Sequence, residues 1–397
     1  MSAAGQSRVL VMASTFPRFA GDTTPPFVLR LCQAMHREGW ASVVLAPHAA
    51  GLATRDHLEG VECQRFRYAP PALERLAYGG GMLANIRAAR WLWLVLPFYM
   101  LALLVAASAL LVRRKITVVH AHWIIPQGLV AVMLRRLFFR RRLRVVVTAH
   151  GSDLHADMGG LARRLLQWTM READVLSVVS PAMQRLAMGL GVPEQKIVVA
   201  PMGVDTDRFC PPIEGTARSG VVYVGRLAEE KGVTHLLDAF ALLLRQEPDQ
   251  RLTVVGDGPL RAQLEVQAAC LGIAARVTFA GARPQADIPA YFQRATLFAM
   301  PSLQEGLGLV AAEAMACGCP VVAHDIPGVQ GLVVREETGL LVPPSDAAAL
   351  AAAMLRILRD AGLAARIAAA GRRHVESQFS WSAVAARYRA LYEGNRR

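Results

Sequence analysis

Short apolar runs alternate with amphipathic helical periods along most of this 397-residue chain. Such alternation is typical of α/β proteins with doubly wound parallel sheets, so we expect that fold class. The strands predicted in the first half are Arg8–Ala13, Ser42–Pro47, Val61–Arg67, Thr117–Ala121, Arg144–Ala149 and Val175–Val179, with a helix over Pro26–Arg37. The strands predicted in the second half are Val221–Gly225, Leu252–Gly256, Arg276–Ala280, Leu297–Met300 and Pro320–Ala323. An alanine-rich helical tail is predicted from about Asp346.

The chain is long enough for two domains, each with its own hydrophobic core. A segment rich in turn-forming residues, 201–219, interrupts the alternation and reads as an interdomain linker. We therefore predict an N-terminal α/β domain over 1–200 and a C-terminal α/β domain over 220–375. The remaining helix, 376–397, is expected to pack back toward the N-terminal domain.

One apolar segment, Trp91–Val112, contains no charged residue and has basic residues on both sides. As a helix its 22 residues would reach about 33 Å, enough to cross the hydrocarbon core of a bilayer. A single crossing would separate the strands on its two sides, which are predicted to share one sheet. Three placements stay open: a helix or bent hairpin in the membrane interface, which we favour, a helix buried on the sheet, or a true span.

Positive charge is concentrated in the first half of the chain. Residues 1–200 contain 24 Lys and Arg against 11 Asp and Glu, and the remainder is neutral. Such an excess indicates a polyanionic partner, unless it is only a solvated face. Because no nucleic-acid recognition motif accompanies it, we expect an anionic membrane surface as the partner and no nucleic acid. The basic residues clustered for such a surface are Arg135, Arg136, Arg140, Arg141, Arg142 and Arg144.

The cysteines do not indicate a disulfide framework or a zinc site. The six cysteines are scattered and form no CxxC pair. This usage fits a reducing compartment, and we expect a cytoplasmic protein.

The stretch Ala299–Ala323 carries the clearest candidate chemistry. A predicted strand ends at Met300 and a helix begins a few residues later. The loop between them contains Glu305, Gly306, Leu307 and Gly308. Glycine lets the backbone approach a ligand closely, and a helix N-terminus offers free N–H groups to an anion. Glu313 in the helix and Glu305 in the loop can therefore face one ligand, as acceptors for sugar and ribose hydroxyls.

Further motifs accompany this stretch in a fixed order. They are His120–Trp123 (HAHW), His150–Asp153 (HGSD), Pro201–Asp205 (PMGVD), Tyr223–Leu227 (YVGRL), Glu230–Gly232 (EKG), Val254–Pro259 (VVGDGP) and Glu337–Val342 (ETGLLV). Together with Glu305-x7-Glu313, they resemble the retaining glycosyltransferases of family four along nearly the whole chain. The resemblance implies the GT-B fold, in which two Rossmann-like, doubly wound parallel-sheet domains face a central cleft.

The resemblance also implies roles for individual residues. Arg226 and Lys231 would hold the two donor phosphates and stabilise the leaving diphosphate in place of a metal, so no metal and no other cofactor are expected. Glu305 would bind the transferred sugar, Glu313 the ribose, and His150 would lie near the anomeric carbon. The other implied donor contacts are Gly21, Asp22, Gly225, Gly306, Leu307 and Gly308. His122 and Asp153 are candidate contacts of the acceptor or the sugar.

Some features favour a less specific interpretation. Arg226 or Lys231 could instead be a surface base that pairs with Glu229 or Glu230. In the loop Thr15–Pro25, Gly21-Asp22 replaces the Gly-Gly pair usual in the family, which changes the backbone expected at the phosphate. The Asp205-Thr206-Asp207 sequence matches a DxD metal signature, but its place in the linker indicates a chance match.

These observations predict a retaining hexosyltransferase with a UDP- or GDP-linked sugar as donor. The acceptor is expected to be lipid-linked or a polysaccharide, at the inner face of the cell membrane, as in a subgroup that assembles surface polysaccharide or glycolipid. Two alternatives stay open. One is a sugar-nucleotide epimerase or hydrolase of the same fold, and the other is a catalytically silent scaffold subunit of polysaccharide assembly.

Overall fold

The structure, a computed structural model, describes residues 7–394 except 23, 80, 140, 141, 152 and 155–158. The chain divides into two compact units. The first comprises Met1–Val179, Met183–Pro201 and Val384–Arg397, and the second comprises Ser180–Ala182 and Met202–Ala383.

Each unit is built from strands that alternate with helices. The strands are β1 (Ser7–Met12), β2 (Trp40–Pro47), β3 (Arg55–Leu58), β4 (Val61–Phe66), β5 (Val118–His122), β6 (Arg144–Ala149), β7 (Val175–Val178), β8 (Ile197–Val199), β9 (Val221–Val224), β10 (Leu252–Val255), β11 (Val277–Gly281), β12 (Leu297–Met300), β13 (Val321–His324) and β14 (Leu340–Val342). The α-helices are α1 (Phe27–Arg37), α2 (Met82–Ala88), α3 (Leu96–Arg114), α4 (Leu129–Leu137), α5 (Gly160–Glu172), α6 (Pro181–Gly189), α7 (Val233–Leu244), α8 (Arg261–Cys270), α9 (Ile288–Arg294), α10 (Leu309–Ala316), α11 (Ala347–Arg359), α12 (Ala361–Gln378) and α13 (Trp381–Glu393).

The first unit contains an eight-stranded sheet in the order β3-β4-β2-β1-β5-β6-β7-β8. All neighbouring strands are parallel except β3, which runs antiparallel to β4 at the edge. The central strands of this eight-stranded sheet are continuous apolar runs, because helices cover both faces of a parallel sheet. In parallel strands the carboxyl ends lie at one edge, so the loops after β1, β5 and β6 emerge side by side. The predicted α/β class is confirmed.

The second unit contains a six-stranded, wholly parallel sheet in the order β11-β10-β9-β12-β13-β14. Leu236, Leu237 and Phe240 of α7 are fully buried in its core. The order places β9 between β10 and β12, so the loops after these three strands gather at one edge. The helical tail begins where it was predicted, because the Asp346 side chain accepts a hydrogen bond from the Ala349 N–H and caps α11.

The last helix belongs mainly to the first unit. From Val384 onward its residues are grouped with the N-terminal sheet. Tyr392 donates to or accepts from His120 Nδ1 at 2.7 Å, and the Tyr388 hydroxyl donates to the Ala200 carbonyl at 3.1 Å. Both tyrosine side chains are buried.

The apolar segment forms a short 3-10 helix, Arg90–Leu94, followed by α3. One face of α3 lies on the sheet, where Tyr99, Leu103 and Ala107 are fully buried. The Tyr99 ring packs edge-on against Phe66 at 5.0 Å between ring centroids. Strands β4 and β5 on either side of the segment share one sheet, as expected. By length and composition, α3 is also the one helix in the described chain that could cross a membrane.

The opposite face of α3 is apolar and exposed. Phe98, Leu101, Val105 and Val112 are each more than half exposed on that face. The segment therefore packs on the sheet along one side and presents hydrophobic side chains along the other. Its insertion into a membrane interface stays a prediction.

Part of the predicted basic cluster is neutralised inside the chain. Arg135 pairs with Asp174 at 2.7 Å and Arg136 with Glu172 at 3.3 Å. Arg144 Nε donates to the Leu391 carbonyl at 2.6 Å. Arg140 and Arg141 lie outside the described residues. Arg135 and Arg136 therefore carry intramolecular ion pairs, and an anionic membrane surface as the partner of this cluster stays a prediction.

Candidate active site

In the second unit, the candidate site forms where the loops after β9 and β12 meet. The Lys231 ammonium lies 2.6 Å from Glu305 Oε1, and the Ser302 hydroxyl donates to the same oxygen at 2.8 Å. Neither side chain of the ion pair is fully buried, with exposures of 25% for Lys231 and 14% for Glu305, so the pair is accessible from the edge of the sheet. The structure thus brings together two residues that are far apart in sequence. The alternative pairing of Lys231 with Glu229 or Glu230 is not found.

A glycine makes this approach of the two loops feasible. Gly232 adopts φ +62°, and a Cβ there would lie only 2.1 Å from the Pro301 carbonyl oxygen. The backbone N–H groups of Leu303 and Gln304 both donate to the Glu230 carbonyl. A larger residue at 232 would push the Lys231 turn away from the Glu305 loop. The EKG motif therefore positions the ammonium against the carboxylate.

Arg226 projects from the loop after β9. Its side chain is exposed, and the described residues offer its guanidinium no ion-pair partner. The backbone is fixed by the Tyr223 hydroxyl, which donates to the Arg226 carbonyl at 3.0 Å, and by Gly225 N–H, which donates to the Val255 carbonyl at 2.9 Å. A fixed backbone with an unpaired cation is suited to bind an anion at this sheet edge.

The helix α10 begins immediately after the Glu305 loop. Gly306 and Leu307 lie in that loop, and Gly308 adopts φ +76° as the residue before the helix. A left-handed residue at this point turns the chain sharply into the helix, whose first N–H groups have no intrahelical partner. An anion is electrostatically favoured there.

Glu313 lies within α10, beyond its first turn. Gln285 Nε2 donates to Glu313 Oε1 at 3.4 Å. Burial raises the pKa of the Glu313 carboxyl to about 7, while this hydrogen bond and the positive charge of Arg208 act in the opposite direction. This shift favours the protonated carboxyl relative to an exposed glutamate at the same pH.

In the first unit, two histidines meet at the carboxyl ends of β5 and β6. His122 is the last residue of β5, and His150 directly follows β6. His122 Nδ1 and His150 Nε2 are 2.9 Å apart, and the rings stack with centroids 5.1 Å apart. His122 Nε2 has no hydrogen-bond partner among the described residues. Burial lowers the pKa of His150 to about 3, so its imidazole is neutral at physiological pH.

Asp153 organises the loop that carries His150. Its Oδ1 accepts from the N–H groups of His150 and Gly151 at 3.1 and 3.0 Å, and its Oδ2 accepts from the Ile124 N–H at 3.2 Å. Burial raises the pKa of this carboxyl. Asp153 is thus committed to backbone donors, and its contact with an acceptor or sugar stays a prediction. Ser152 of the same motif lies outside the described residues.

His120 is a buried residue with a structural role. It is fully buried beneath His122 and is hydrogen-bonded through both ring nitrogens, to the Tyr392 and Thr148 hydroxyls at 2.7 Å each. It therefore has no nitrogen left for a ligand.

The loop after β1 is organised by an ion pair that sequence analysis did not identify. Asp22, whose side chain is 1% exposed, accepts from Arg18 Nε at 2.9 Å and from Arg18 Nη2 at 2.8 Å. The Arg18 guanidinium holds the pKa of the Asp22 carboxyl well below its usual range. Asp22 therefore shapes the loop, next to Gly21 at φ +83°. A direct contact of Gly21 or Asp22 with a donor stays a prediction.

A large groove lies beside this loop. It encloses about 1110 Å³ and is lined mainly by apolar side chains from the β1 loop, α2, the start of α3 and α5. Asp153 and Trp123 line it close to the histidine pair. Sequence analysis missed this groove because its lining residues come from segments far apart in the sequence, which only the fold brings together.

Two α/β domains with mainly parallel sheets, one of them with a sheet edge suited to an anion, fit the GT-B fold of glycosyltransferases. Two family models match: "Glycosyltransferase Family 4" over residues 26–208 and "Glycosyl transferases group 1" over residues 214–374. The chain belongs to glycosyltransferase family 4, and its activity is the transfer of a sugar from a nucleotide sugar.

Individual relatives agree with this assignment. A GDP-mannose-dependent α-(1-6)-phosphatidylinositol monomannoside mannosyltransferase from Mycolicibacterium smegmatis is 35% identical over 68% of this chain and 75% of its own length. A glycogen synthase from Mycobacterium tuberculosis is 32% identical over 69% of this chain and 68% of its own. Among solved structures, a sucrose-phosphate synthase from Thermosynechococcus elongatus superposes with a TM-score of 0.79 at 25% identity, covering 98% of both chains.

Proposed function

We propose that this chain is a retaining, metal-independent hexosyltransferase. It moves a hexosyl unit from a UDP- or GDP-linked sugar to a lipid-linked or polysaccharide acceptor at the cytoplasmic face of the membrane. The observation that carries this proposal is the Lys231–Glu305 pair, which joins the loop that carries Arg226 to the loop that leads into α10.

Four charged side chains of the site have a part in the transfer reaction. The Lys231 ammonium and the Arg226 guanidinium stabilise negative charge on the departing diphosphate, which is the work that a divalent cation does in other enzymes. Glu305 accepts hydrogen bonds from hydroxyls of the transferred hexose. The Lys231–Glu305 contact fixes the carboxylate relative to the phosphate-binding cation. Glu313 accepts hydrogen bonds from the ribose hydroxyls.

The protonation state of His150 bears on the choice of base. Because burial lowers its pKa to about 3, the neutral imidazole is a weak base and serves as a hydrogen-bond partner of the sugar. The bond between the anomeric carbon and the phosphate oxygen breaks while the acceptor oxygen attacks from the same face. The acceptor proton passes to the departing phosphate oxygen, so no protein base is required. This route retains the anomeric configuration.

Two features favour an acceptor at a membrane. The exposed face of α3 is apolar, and exposed apolar patches mark interaction sites on soluble domains. The Mycolicibacterium relative acts on a phosphatidylinositol monomannoside, as its name states. Both support a lipid-linked acceptor and a peripheral position on the inner face of the cell membrane.

A donor screen tests the proposal. The purified chain is incubated in EDTA with GDP-mannose, UDP-glucose or UDP-N-acetylglucosamine, with and without a membrane lipid extract, and nucleoside diphosphate release is followed. We expect one donor to give release that depends on the extract and persists in EDTA. Release without any acceptor would indicate a hydrolase, and loss of all activity in EDTA would contradict metal independence.

A matched pair of carboxylate variants tests the site itself. Glu305→Gln should lower turnover by about 100-fold or more, because the sugar contact and the partner of Lys231 weaken together. Glu229→Gln changes an exposed carboxylate two residues from Lys231 and should leave turnover unchanged. Equal rates for the two variants would contradict the assignment.

A further inference from the structure

The groove in the first unit has the shape and lining of a site for a hydrocarbon chain. Its volume of about 1110 Å³ lies just above the range of sites for drug-sized ligands, which span about 300–1,000 Å³. Leu96 and Met100 from α3 line one part, and Leu161 and Leu165 from α5 line another. Such a lining recognises a ligand by burying apolar surface.

One residue that lines the groove is also exposed just before α3 begins. Trp93 lines the groove and is 55% exposed, so it belongs to both surfaces. Its neighbour Leu94 and the residue Phe98, one turn further, are also exposed. Apolar side chains are therefore exposed next to the point where Trp93 lines the groove.

One of the residues that line the groove, Arg18, is a cation whose side chain is held in place by its neighbours. Arg18 is held by Asp22 through Nε and Nη2, which leaves Nη1 outside both of those bonds. The guanidinium carbon also lies over the rings of Phe19 and Tyr78, at 5.6 and 5.7 Å from their centroids. Its position is thus set before any ligand binds. A guanidinium is well suited to recognise a phosphate.

We propose that this groove binds the acceptor through a long hydrocarbon chain that ends in a phosphate. The chain lies between α3 and α5, and Arg18 binds the phosphate. The groove reaches Trp123 and Asp153 next to the His122–His150 pair, so the head group beyond the phosphate is directed toward these residues. This inference rests on the proposed transferase function and narrows its acceptor to a lipid whose tail enters the protein.

Binding of dodecyl phosphate to the purified full-length chain tests the proposal without the reaction. A series of alkyl phosphates from six to twelve carbons, each below its micelle concentration, is titrated by calorimetry. Each methylene buried in the groove should raise affinity roughly three- to fourfold. Arg18→Gln should weaken dodecyl phosphate but leave dodecanol unchanged. Equal affinity of the phosphate and the alcohol for the wild-type chain would overturn the role of Arg18.

Adjacent residues of α3 provide a matched control for the groove. Met100 lines it, whereas Leu101 is 58% exposed on the outer face. Met100→Trp should fill the groove and lower dodecyl phosphate affinity at least tenfold. Leu101→Trp should change it less than twofold. Equal effects of the two substitutions would place the chain on the outer face and overturn the proposal.

Photolabelling keeps the proposal testable if Met100→Trp fails to fold. A dodecyl phosphate with a terminal diazirine is irradiated with the wild-type chain, and labelled peptides are identified by mass spectrometry. Labels at Met100 or within 161–166 support the groove, whereas labels confined to Phe98 and to 101–112 overturn it. The donor screen distinguishes a failure of this inference from a failure of the proposed function. Donor-dependent release without groove labelling rejects only this inference, and groove labelling without any release rejects the proposed function.

Discussion

Replacing Glu313 by glutamine should stabilise the protein at alkaline pH and leave its stability near pH 5 almost unchanged. Burial raises the pKa of this carboxyl from 4.5 to about 7. Between those values the folded protein keeps a proton that the unfolded chain releases, so the free energy of unfolding falls as pH rises. At 1.36 kcal/mol per pKa unit the loss reaches about 3 kcal/mol above pH 7. Because the carboxyl is not fully enclosed, we expect about 1–2 kcal/mol after solvent screening.

Thermal unfolding measured from pH 5 to pH 8 checks this expectation. Glutamine has the same shape and carries no charge, so Glu313→Gln removes the ionisation penalty without opening a cavity. The melting temperature of the variant relative to wild type should rise from near zero at pH 5 to about 3–6 °C at pH 8. The exposed Glu229→Gln variant should show no such trend. A difference for Glu313→Gln that is constant with pH, or that falls as pH rises, would refute the reasoning.

Three further predictions follow from the same geometry. Arg226→Gln should lower turnover by about 100-fold or more while the circular dichroism spectrum stays unchanged, since its exposed side chain stabilises only the leaving group; steady-state kinetics with normal turnover would contradict this role. Burial lowers the pKa of His120 and of His150 to about 3. The free energy of unfolding should therefore fall as the pH falls below 6.5, by about 2 kcal/mol per histidine at pH 5. Equal urea midpoints at pH 7 and pH 5 would oppose this. Tyr392→Phe leaves His120 Nδ1 without its partner and should cost about 1–3 kcal/mol in urea unfolding, with an unchanged KM for the donor; a shifted KM would indicate more than a structural role.

The sequence predicts the central strands well because each is a continuous apolar run buried on both faces. The predicted strand Arg144–Ala149 matches β6 at both ends, and Leu297–Met300 matches β12. The missed strands are β3, β8 and β14, which are short and lie at or near sheet edges. The β3 sequence, Arg55–Leu58, is mostly polar, because an edge strand with exposed side chains needs little apolar character.

Which face of α3 is buried on the sheet and which is exposed could not be predicted from its sequence. The segment is apolar all round, so no hydrophobic period distinguishes the face on the sheet from the outer face. Tyr99 marks the buried side only because its hydroxyl accepts from Gln127 Nε2 at 3.0 Å, a contact across separate elements.

The site shows a similar division between what a motif can predict and what requires tertiary contacts. The residues Glu305 and Glu313 are identified by spacing and by the glycines near them. The ion pair between Lys231 and Glu305 depends on how β9 and β12 lie side by side, which no local pattern encodes. The Arg18–Asp22 pair is local in sequence, but it lies in an irregular loop where four-residue spacing does not imply contact.

The anomeric configuration of the product shows whether the transfer proceeds with retention. The purified chain is given the active α-linked sugar nucleotide, labelled with ¹³C at the anomeric carbon, together with the membrane lipid extract. The one-bond carbon–hydrogen coupling of the transferred sugar is then read by NMR. Transfer with retention to a lipid-linked acceptor should give an α-linked product in the lipid fraction. A β-linked product, or label found only as free sugar, would contradict it.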